Sequence, residues 1–184
     1  MTEQTDIVGE ASMKLENLPL SQKDLEQTAA EYRESSEHED ETIVSLLIFL
    51  MEDQYYACSV EDLQETLAIQ ELTPLPEMHP AVSGLINLRG SLLLTFDLRR
   101  FFGMTSASPP KNIVVVQSEN HATGILVESI QGVDSIPLSS FQGSIETASG
   151  IPSAYIRGVR IYHGLPLLWL DINQVVKKLG EVLA

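Results

Sequence analysis

Most of the chain alternates short apolar runs with residues that favour turns. The most apolar run spans residues 43–50. A polar stretch follows at residues 52–54, and the apolar pattern resumes at residues 55–60. Short apolar runs rich in β-branched and aromatic side chains, bounded by polar turn residues, favour strands over helices. The pattern therefore predicts a β-hairpin, with Tyr56 and Cys58 on one face of its second strand.

The same pattern recurs along the rest of the chain and predicts further strands. They are expected at residues 84–87, 91–97, 113–117, 123–127, 133–136, 155–159 and 165–170. Closely spaced strands with few long helices indicate an all-β protein. Because the parts of the chain on either side of Pro109 and Pro110 are similar in size, we expect two small barrels or folded sheets that meet near residues 104–111.

Two helical segments are also predicted. Residues 97–103 resemble a single helical turn that Gly103 stops. A final helix should begin at Asp171, whose carboxylate can cap it, and should end at Gly180. Its apolar positions repeat at helical spacing and predict a buried stripe, namely Ile172, Val175, Val176 and Leu179.

The charge of the chain is concentrated near its start. Residues 1–41 hold 12 acidic and 3 basic residues, whereas residues 42–184 hold 14 acidic and 8 basic ones, so −9 and −6 add to the net charge of −15. The first segment is also poor in apolar residues, which is typical of disorder. We expect a mostly disordered acidic N-terminal tail, with at most a transient helix beginning at Ser21, followed by one domain.

The acidic balance excludes several classes of function. Affinity for nucleic acids and for anionic lipids comes chiefly from Lys and Arg, so neither partner is expected. The most apolar stretch is too short to cross a bilayer, and the first residues lack the features of a secretory signal. With Cys58 as its lone cysteine the chain cannot form an internal disulfide, and we expect a cytoplasmic protein.

Catalytic and cofactor-binding motifs are missing from the sequence. It contains no phosphate-binding glycine loop and no nucleophile elbow. Cys58 alternates with apolar residues on a predicted strand, which favours a core position over a nucleophile. The histidines are far apart along the chain and lack metal-ligand spacing: His38, His79, His121 and His163. We expect no enzymatic activity, no cofactor and no metal.

One segment, residues 73–99, combines unusual features. Its prolines favour an extended chain. Gly84 and Gly90 enclose a short predicted strand and a tight turn, which present Arg89 between apolar neighbours. Two interpretations are open. Arg89 pairs with a nearby carboxylate to hold the turn, or it faces a protein partner, since arginine is enriched among interface hot spots.

The same segment resembles the signature of the CheW family, the adaptor proteins of bacterial chemosensory arrays. The family pattern Gly-apolar-x-Asn-Leu-Arg-Gly, then an apolar strand, then Asp-Leu-Arg, is similar to residues 84–90 and 97–99. Three further elements match in order, namely Leu63-Gln64-Glu65, Gly124-Ile125-Leu126-Val127-Glu128 and Leu170-Asp171-Ile172. The likeness covers approximately residues 42–179.

The resemblance implies a CheW-like fold of two five-stranded SH3-like β-barrel subdomains with short helices. It implies a non-enzymatic adaptor that couples the cytoplasmic tip of a methyl-accepting chemoreceptor to the regulatory domain of a CheA-type histidine kinase, in membrane-associated receptor arrays. The family's receptor surface is matched here by Leu63, Glu65, Gly84, Leu85 and Arg89.

Two other functions remain open. The sequence departs from the family pattern at Thr66, Leu94 and Glu128, which together with the acidic tail favours a specialised pathway such as pilus motility, development or polar localisation. A phosphotransfer protein that uses His38 is the other alternative, although the pattern around His38 does not predict a long, well-packed helix.

Overall fold

A computed structural model describes residues 41–105, 108–118, 121–143 and 150–183. Within these ranges the chain forms ten strands and two α-helices, α1 (Leu98–Phe101) and α2 (Ile172–Leu183). The strands are β1 Ile43–Met51, β2 Gln54–Ser59, β3 Leu63–Ala68, β4 Val82–Leu88, β5 Ser91–Phe96, β6 Asn112–Ser118, β7 His121–Val127, β8 Ser129–Pro137, β9 Ile156–Tyr162 and β10 Leu165–Leu170. The transient helix and acidic run expected before Glu41, and His38, lie outside the described residues.

The strands form two five-stranded sheets. Sheet A has the order β8-β1-β2-β10-β9, and sheet B has the order β3-β6-β7-β5-β4. Their pairs are mainly antiparallel, with parallel contacts between β10 and β2 and between β5 and β7. The predicted all-β fold is therefore confirmed.

The expected junction near residues 104–111 is corrected by this topology. Sheet A takes β1 and β2 from before that segment and β8, β9 and β10 from after it, and sheet B is divided in the same way. Long antiparallel pairings such as β1 with β8 and β3 with β6 cross the middle of the chain. Local apolar patterns do not reveal which distant strands pair, so they do not assign the strands to the two sheets.

Both faces of the central strands are buried, which explains their continuous apolar runs. In β1, Leu47 and Phe49 join a central cluster that contains residues of both sheets, whereas Leu46 and Ile48 pack in a second cluster within sheet A. A third cluster lies within sheet B. The predicted faces of β2 are confirmed, since its Tyr56 and Cys58 belong to the central cluster. Each large side chain buried in this way contributes about 1.5–3 kcal/mol.

Helix α2 packs its apolar stripe on the central cluster. Ile172, Val175 and Leu179 are buried there, and the backbone N–H of Gln174 donates to Asp171 Oδ1 over 3.2 Å, as a capping residue requires. The predicted end at Gly180 is wrong, because the helix continues to Leu183. A glycine inside a helix costs only about 1 kcal/mol, which a packed stripe outweighs. No helix in the described ranges is long and apolar enough to span a membrane.

Candidate partner-binding site

The turn between β4 and β5 places Arg89 at the surface. Arg89 and Gly90 both have positive φ values, 52° and 90°, as a two-residue type I′ hairpin turn requires. The Asn87 side chain accepts a 2.7 Å hydrogen bond from the Gly90 N–H. Asparagine or glycine would suit the position of Arg89 better, because a left-handed conformation costs other residues about 1–2 kcal/mol. Arg89 therefore occupies a strained backbone position.

Arg89 forms an ion pair that the sequence spacing does not reveal. Its Nη2 lies 2.8 Å from Glu65 Oε2, and the Arg89 side chain remains 79% exposed. Glu65 belongs to β3, and Arg89 follows β4, so the pair links the two edge strands of sheet B. The interpretation that Arg89 pairs with a nearby carboxylate is therefore confirmed, whereas contact with a protein partner stays a prediction.

A hollow of about 460 Å³ adjoins this ion pair. Leu88, Leu92 and Leu93 supply apolar surface to it. Leu92 is 73% exposed, more than any other large hydrophobic residue in the described part of the chain. Leu92 does not stand out in the sequence, although the alternation along β5 is the signal that could place it on the outward side of the strand. Arginine is enriched at protein interfaces, so this surface is a candidate for contact with a partner.

The remaining residues predicted from the resemblance have different surroundings. Leu63 is half-buried against the central cluster, and Leu85 is half-buried where β4 pairs with Leu94 of β5. The two leucines lie on β3 and β4, the opposite edges of sheet B. The structure brings Glu65 and Arg89 into contact, and this ion pair joins the two edge strands that carry Leu63 and Leu85.

Gly84 is buried and has a structural role. Thr73 and Leu85 exchange two backbone hydrogen bonds of 2.8 Å, which brings the Thr73 carbonyl close to Gly84. A Cβ atom on Gly84 would lie 2.5 Å from Thr73 O, and its φ of 139° is unsuited to other residues. The absence of a side chain at Gly84 thus allows the segment that precedes β4 to pack against the sheet.

A family model for the CheW-like domain matches residues 45–180. The chain belongs to the CheW-like family. "Chemotaxis protein CheW" of Rhizobium meliloti (strain 1021) is 26% identical over 132 residues, which cover 71% of this chain and 85% of the relative. The protein of the same name from Thermotoga maritima is 24% identical over 135 residues, covering 73% and 88%.

Two further proteins are similar to this chain. "Protein PilI" of Pseudomonas aeruginosa is 27% identical over 114 residues, which cover 60% of this chain and 64% of the relative. The crystal structure of the scaffolding protein TtCheW from Thermoanaerobacter tengcongensis has the same fold, with a TM-score of 0.66 and 21% identity over 73% of this chain and 88% of that one. The resemblance drawn from the motifs is therefore confirmed at the level of family and fold.

In this CheW-like domain Arg99 does not belong to the exposed surface. The sequence groups it with Arg89 and Arg100 near the segment that should meet partners, but its side chain is only 1% exposed. It donates to Asp97 and Glu128 side chains and to the Ser108 carbonyl. Hydrogen bonding to Asp97 is the main cause that raises the pKa of Arg99. Of the three arginines, Arg89 and Arg100 remain available to a partner.

The described part of the domain contains no reactive thiol and no cluster of metal-ligating side chains. Cys58 is fully buried, and burial raises the pKa of its thiol to about 12, so the thiol is protonated at neutral pH. A protonated, inaccessible thiol is no nucleophile, and the core position predicted for it is confirmed. The described ranges contain no group of three or more His, Cys, Asp or Glu side chains arranged to hold a metal ion.

Proposed function

We propose that this protein is a non-enzymatic adaptor that couples methyl-accepting chemoreceptors to a CheA-type histidine kinase. The observation that supports it best is the exposed Arg89, held in a left-handed turn and paired with Glu65 beside the exposed Leu92. Such a surface on a rigid sheet offers shape and charge to a partner. The protein would act in the cytoplasm, recruited to membrane-associated receptor arrays through these protein contacts.

The receptor tip would bind by complementarity alone. Arg89 presents several N–H donors, of which Glu65 takes one, so the others can pair with an acceptor on a receptor helix. The exposed parts of Leu63 and Leu85 would supply apolar contact, since both side chains are only half-buried. Truncation of such an anchor typically costs about 1–3 kcal/mol of binding free energy.

A titration with a chemoreceptor-tip fragment tests this proposal. The variant Arg89→Ala combined with Leu63→Ala should bind at least about tenfold more weakly than the wild type. Lys177→Ala, which removes an exposed cation from α2, is the matched control and should bind normally. Unchanged binding by the double variant, with normal binding by the control, would remove Arg89 and Leu63 from the interface.

A separate assay addresses the phosphotransfer alternative. The full chain would be incubated with a phosphorylated CheA-type kinase, and the transfer of label to the protein would be followed. We expect no label, because an adaptor works by contact. Label that disappears in a His38→Ala variant would replace the adaptor proposal with phosphotransfer.

The similarity to Protein PilI favours a second candidate, a CheW-like adaptor for a non-flagellar system such as pilus motility. The domain would then have the same mode of action with a different receptor and kinase. Binding assays against receptor and kinase pairs from a flagellar and a pilus system would separate the two. Repeating them without residues 1–41 would show whether the acidic segment contributes to the choice of partner.

A further inference from the structure

The chain passes between the two sheets at two places within the described residues. Sheet B contains β3 to β7, a continuous stretch of the chain that is inserted between β2 and β8 of sheet A. The first crossing is the short helical turn Val60–Asp62, which leads from β2 to β3. The second crossing is Glu128, which lies between β7 and β8. The bonds at each crossing decide how firmly the two sheets are fixed to each other at that point.

The second crossing is held by several short hydrogen bonds. The Glu128 backbone N–H donates to the Leu50 carbonyl over 3.0 Å. Glu128 Oε1 accepts bonds of 2.9 Å from the Glu52 backbone N–H and from Arg99 Nη1. Arg99 is buried and donates from the same nitrogen to the Ser108 carbonyl over 2.6 Å. Because charged hydrogen bonds are strong in a buried network, the sheets are firmly joined at this crossing.

The first crossing is held much less firmly. None of its three residues is fully buried. Its side chains make one hydrogen bond to the rest of the described domain, in which Asn173 Nδ2, at the start of α2, donates to Asp62 Oδ1 over 2.8 Å. The other oxygen, Asp62 Oδ2, is buried and has no hydrogen-bond partner among the described residues. A buried oxygen without a partner costs free energy, and this cost offsets part of what the Asn173 bond contributes.

The strand that follows the first crossing is interrupted close to its start. A β-bulge separates Leu63, which pairs with Val116, from Glu65, which pairs with Val115. Because a bulge disrupts the ladder of hydrogen bonds, the start of β3 is held less firmly in the sheet than the rest of the strand. Leu63 is half-buried against the central cluster. Movement at the first crossing would therefore expose more of Leu63 while the rest of β3 stays paired.

We propose that the hydrogen bond between Asp62 and Asn173 is a releasable latch between the two sheets. When this latch opens, the start of β3 moves away from α2 and exposes Leu63, while the crossing at Glu128 stays fixed. A partner that contacts Leu63 binds the open form more tightly than the closed form and shifts the population toward it. This role in binding rests on the adaptor function proposed above, whereas the opening itself does not.

Cys58 provides a probe of this opening. It is the only cysteine of the chain, it is fully buried in the central cluster, and it lies just before the first crossing. Burial and, to a lesser extent, the charge of Asp62 raise the pKa of its thiol to about 12, so Asp62 lies near the thiol. Local opening at Asp62 therefore makes the thiol accessible to a labelling reagent while the rest of the domain remains folded.

The test is thiol labelling of the full-length protein without a partner, at several urea concentrations and a constant, mildly alkaline pH. We expect slow labelling of the wild type at a rate that depends only weakly on urea, because local opening exposes little surface. Asn173→Ala should raise this rate about tenfold, as expected for the loss of one hydrogen bond. Gln174→Ala, which removes the neighbouring, exposed amide side chain of α2, is the matched control and should leave the rate unchanged.

Asp62→Ala removes the other half of the latch. It should raise the labelling rate as Asn173→Ala does, and the double variant should be no faster than either single variant. Global unfolding of each variant in urea, measured on the same samples, shows whether a general loss of stability accounts for faster labelling. Labelling with the full urea dependence of global unfolding, or equal rates for Asn173→Ala and Gln174→Ala, would overturn the proposal.

A titration with the receptor-tip fragment tests the role of the latch in binding. Asn173→Ala should bind the fragment more tightly than the wild type, by up to about tenfold, because the binding-competent form is more populated. Unchanged or weaker binding would overturn the release of Leu63 to a partner. Failure of the wild type to bind would contradict the adaptor function, and the labelling experiment would still decide the latch because it contains no partner.

Discussion

The Tyr162 hydroxyl donates a 2.8 Å hydrogen bond to Asp134, and this bond joins β9 to β8, the two edge strands of sheet A. Sheet B has the same arrangement, since Arg89 and Glu65 join the ends of β4 and β3. Each sheet is thus curled so that a side-chain contact joins its two edge strands. Closure of this kind protects edge strands from pairing with other chains.

Replacing Tyr162 with phenylalanine should destabilise sheet A. The change removes a hydrogen bond to a charged acceptor at a partly buried site, so we expect a loss of about 1 kcal/mol in the free energy of unfolding. Urea denaturation would measure it. Tyr55→Phe is the matched control, because its ring contacts the Tyr162 ring at 5.2 Å and its hydroxyl has no hydrogen bond within the described residues. Equal effects of both changes would contradict a linking role for Tyr162.

Arg89→Asn should separate stability from binding. Asparagine accepts the left-handed conformation more readily, so the turn should gain up to about 1 kcal/mol, while the exposed ion pair that is lost contributes little. The receptor-tip fragment should nevertheless bind more weakly. Thermal unfolding and a binding titration on the same sample would check both effects. If Arg89→Asn is less stable than the wild type, the ion pair with Glu65 accounts for the arginine at this position, and partner binding does not.

Gly84→Ala should be among the most damaging single changes in the domain. The new Cβ would meet the backbone of Thr73 at 2.5 Å, and the φ of 139° would strain any residue other than glycine. We expect a loss of about 3 kcal/mol or more, as for other backbone clashes in special conformations. Gly143→Ala is a suitable control, since a Cβ there meets nothing within 4 Å. Denaturant unfolding that is equal for both variants would contradict the close approach.

Local features of this fold could be predicted from the sequence, and distant relationships could not. The β1–β2 hairpin and the turn at Arg89 follow from apolar runs and turn residues, which act over a few positions. The pairing of Arg89 with Glu65 depends on how sheet B curls, which no local pattern encodes. The burial of Arg99 is equally hidden in the sequence, because it depends on carboxylates that other segments supply, those of Glu52 and Glu128.

Arg99→Gln should destabilise the whole domain. Arg99 bonds to Asp97, which is nearly fully buried, and to Glu128, so its loss would leave carboxylates without their cation. Breaking a buried charge network from one side costs about 3–5 kcal/mol. Arg100→Gln, next in the chain but exposed, should cost less than about 1 kcal/mol. Comparable urea midpoints for the two variants would show that the network around Arg99 contributes little.

Alkaline pH should destabilise the domain through Cys58 and Tyr56. Burial raises the pKa of the Cys58 thiol from 9.0 to about 12 and that of the Tyr56 hydroxyl from 10.0 to about 12. Both groups bind their protons more tightly in the folded state. Their contribution to the free energy of unfolding is therefore complete below pH 9 and is lost as the pH rises toward 12.

Once such a group ionises in the unfolded state, the free energy of unfolding falls by about 1.4 kcal/mol per pH unit. The wild type should therefore lose about 2 kcal/mol of unfolding free energy between pH 9 and pH 10.5, as urea titrations at several pH values would show. Cys58→Ala should be less stable at pH 7, because it leaves a small cavity, but its stability should fall much less over the same interval. A variant whose profile stays parallel to the wild type would show that Cys58 does not ionise on unfolding in this range.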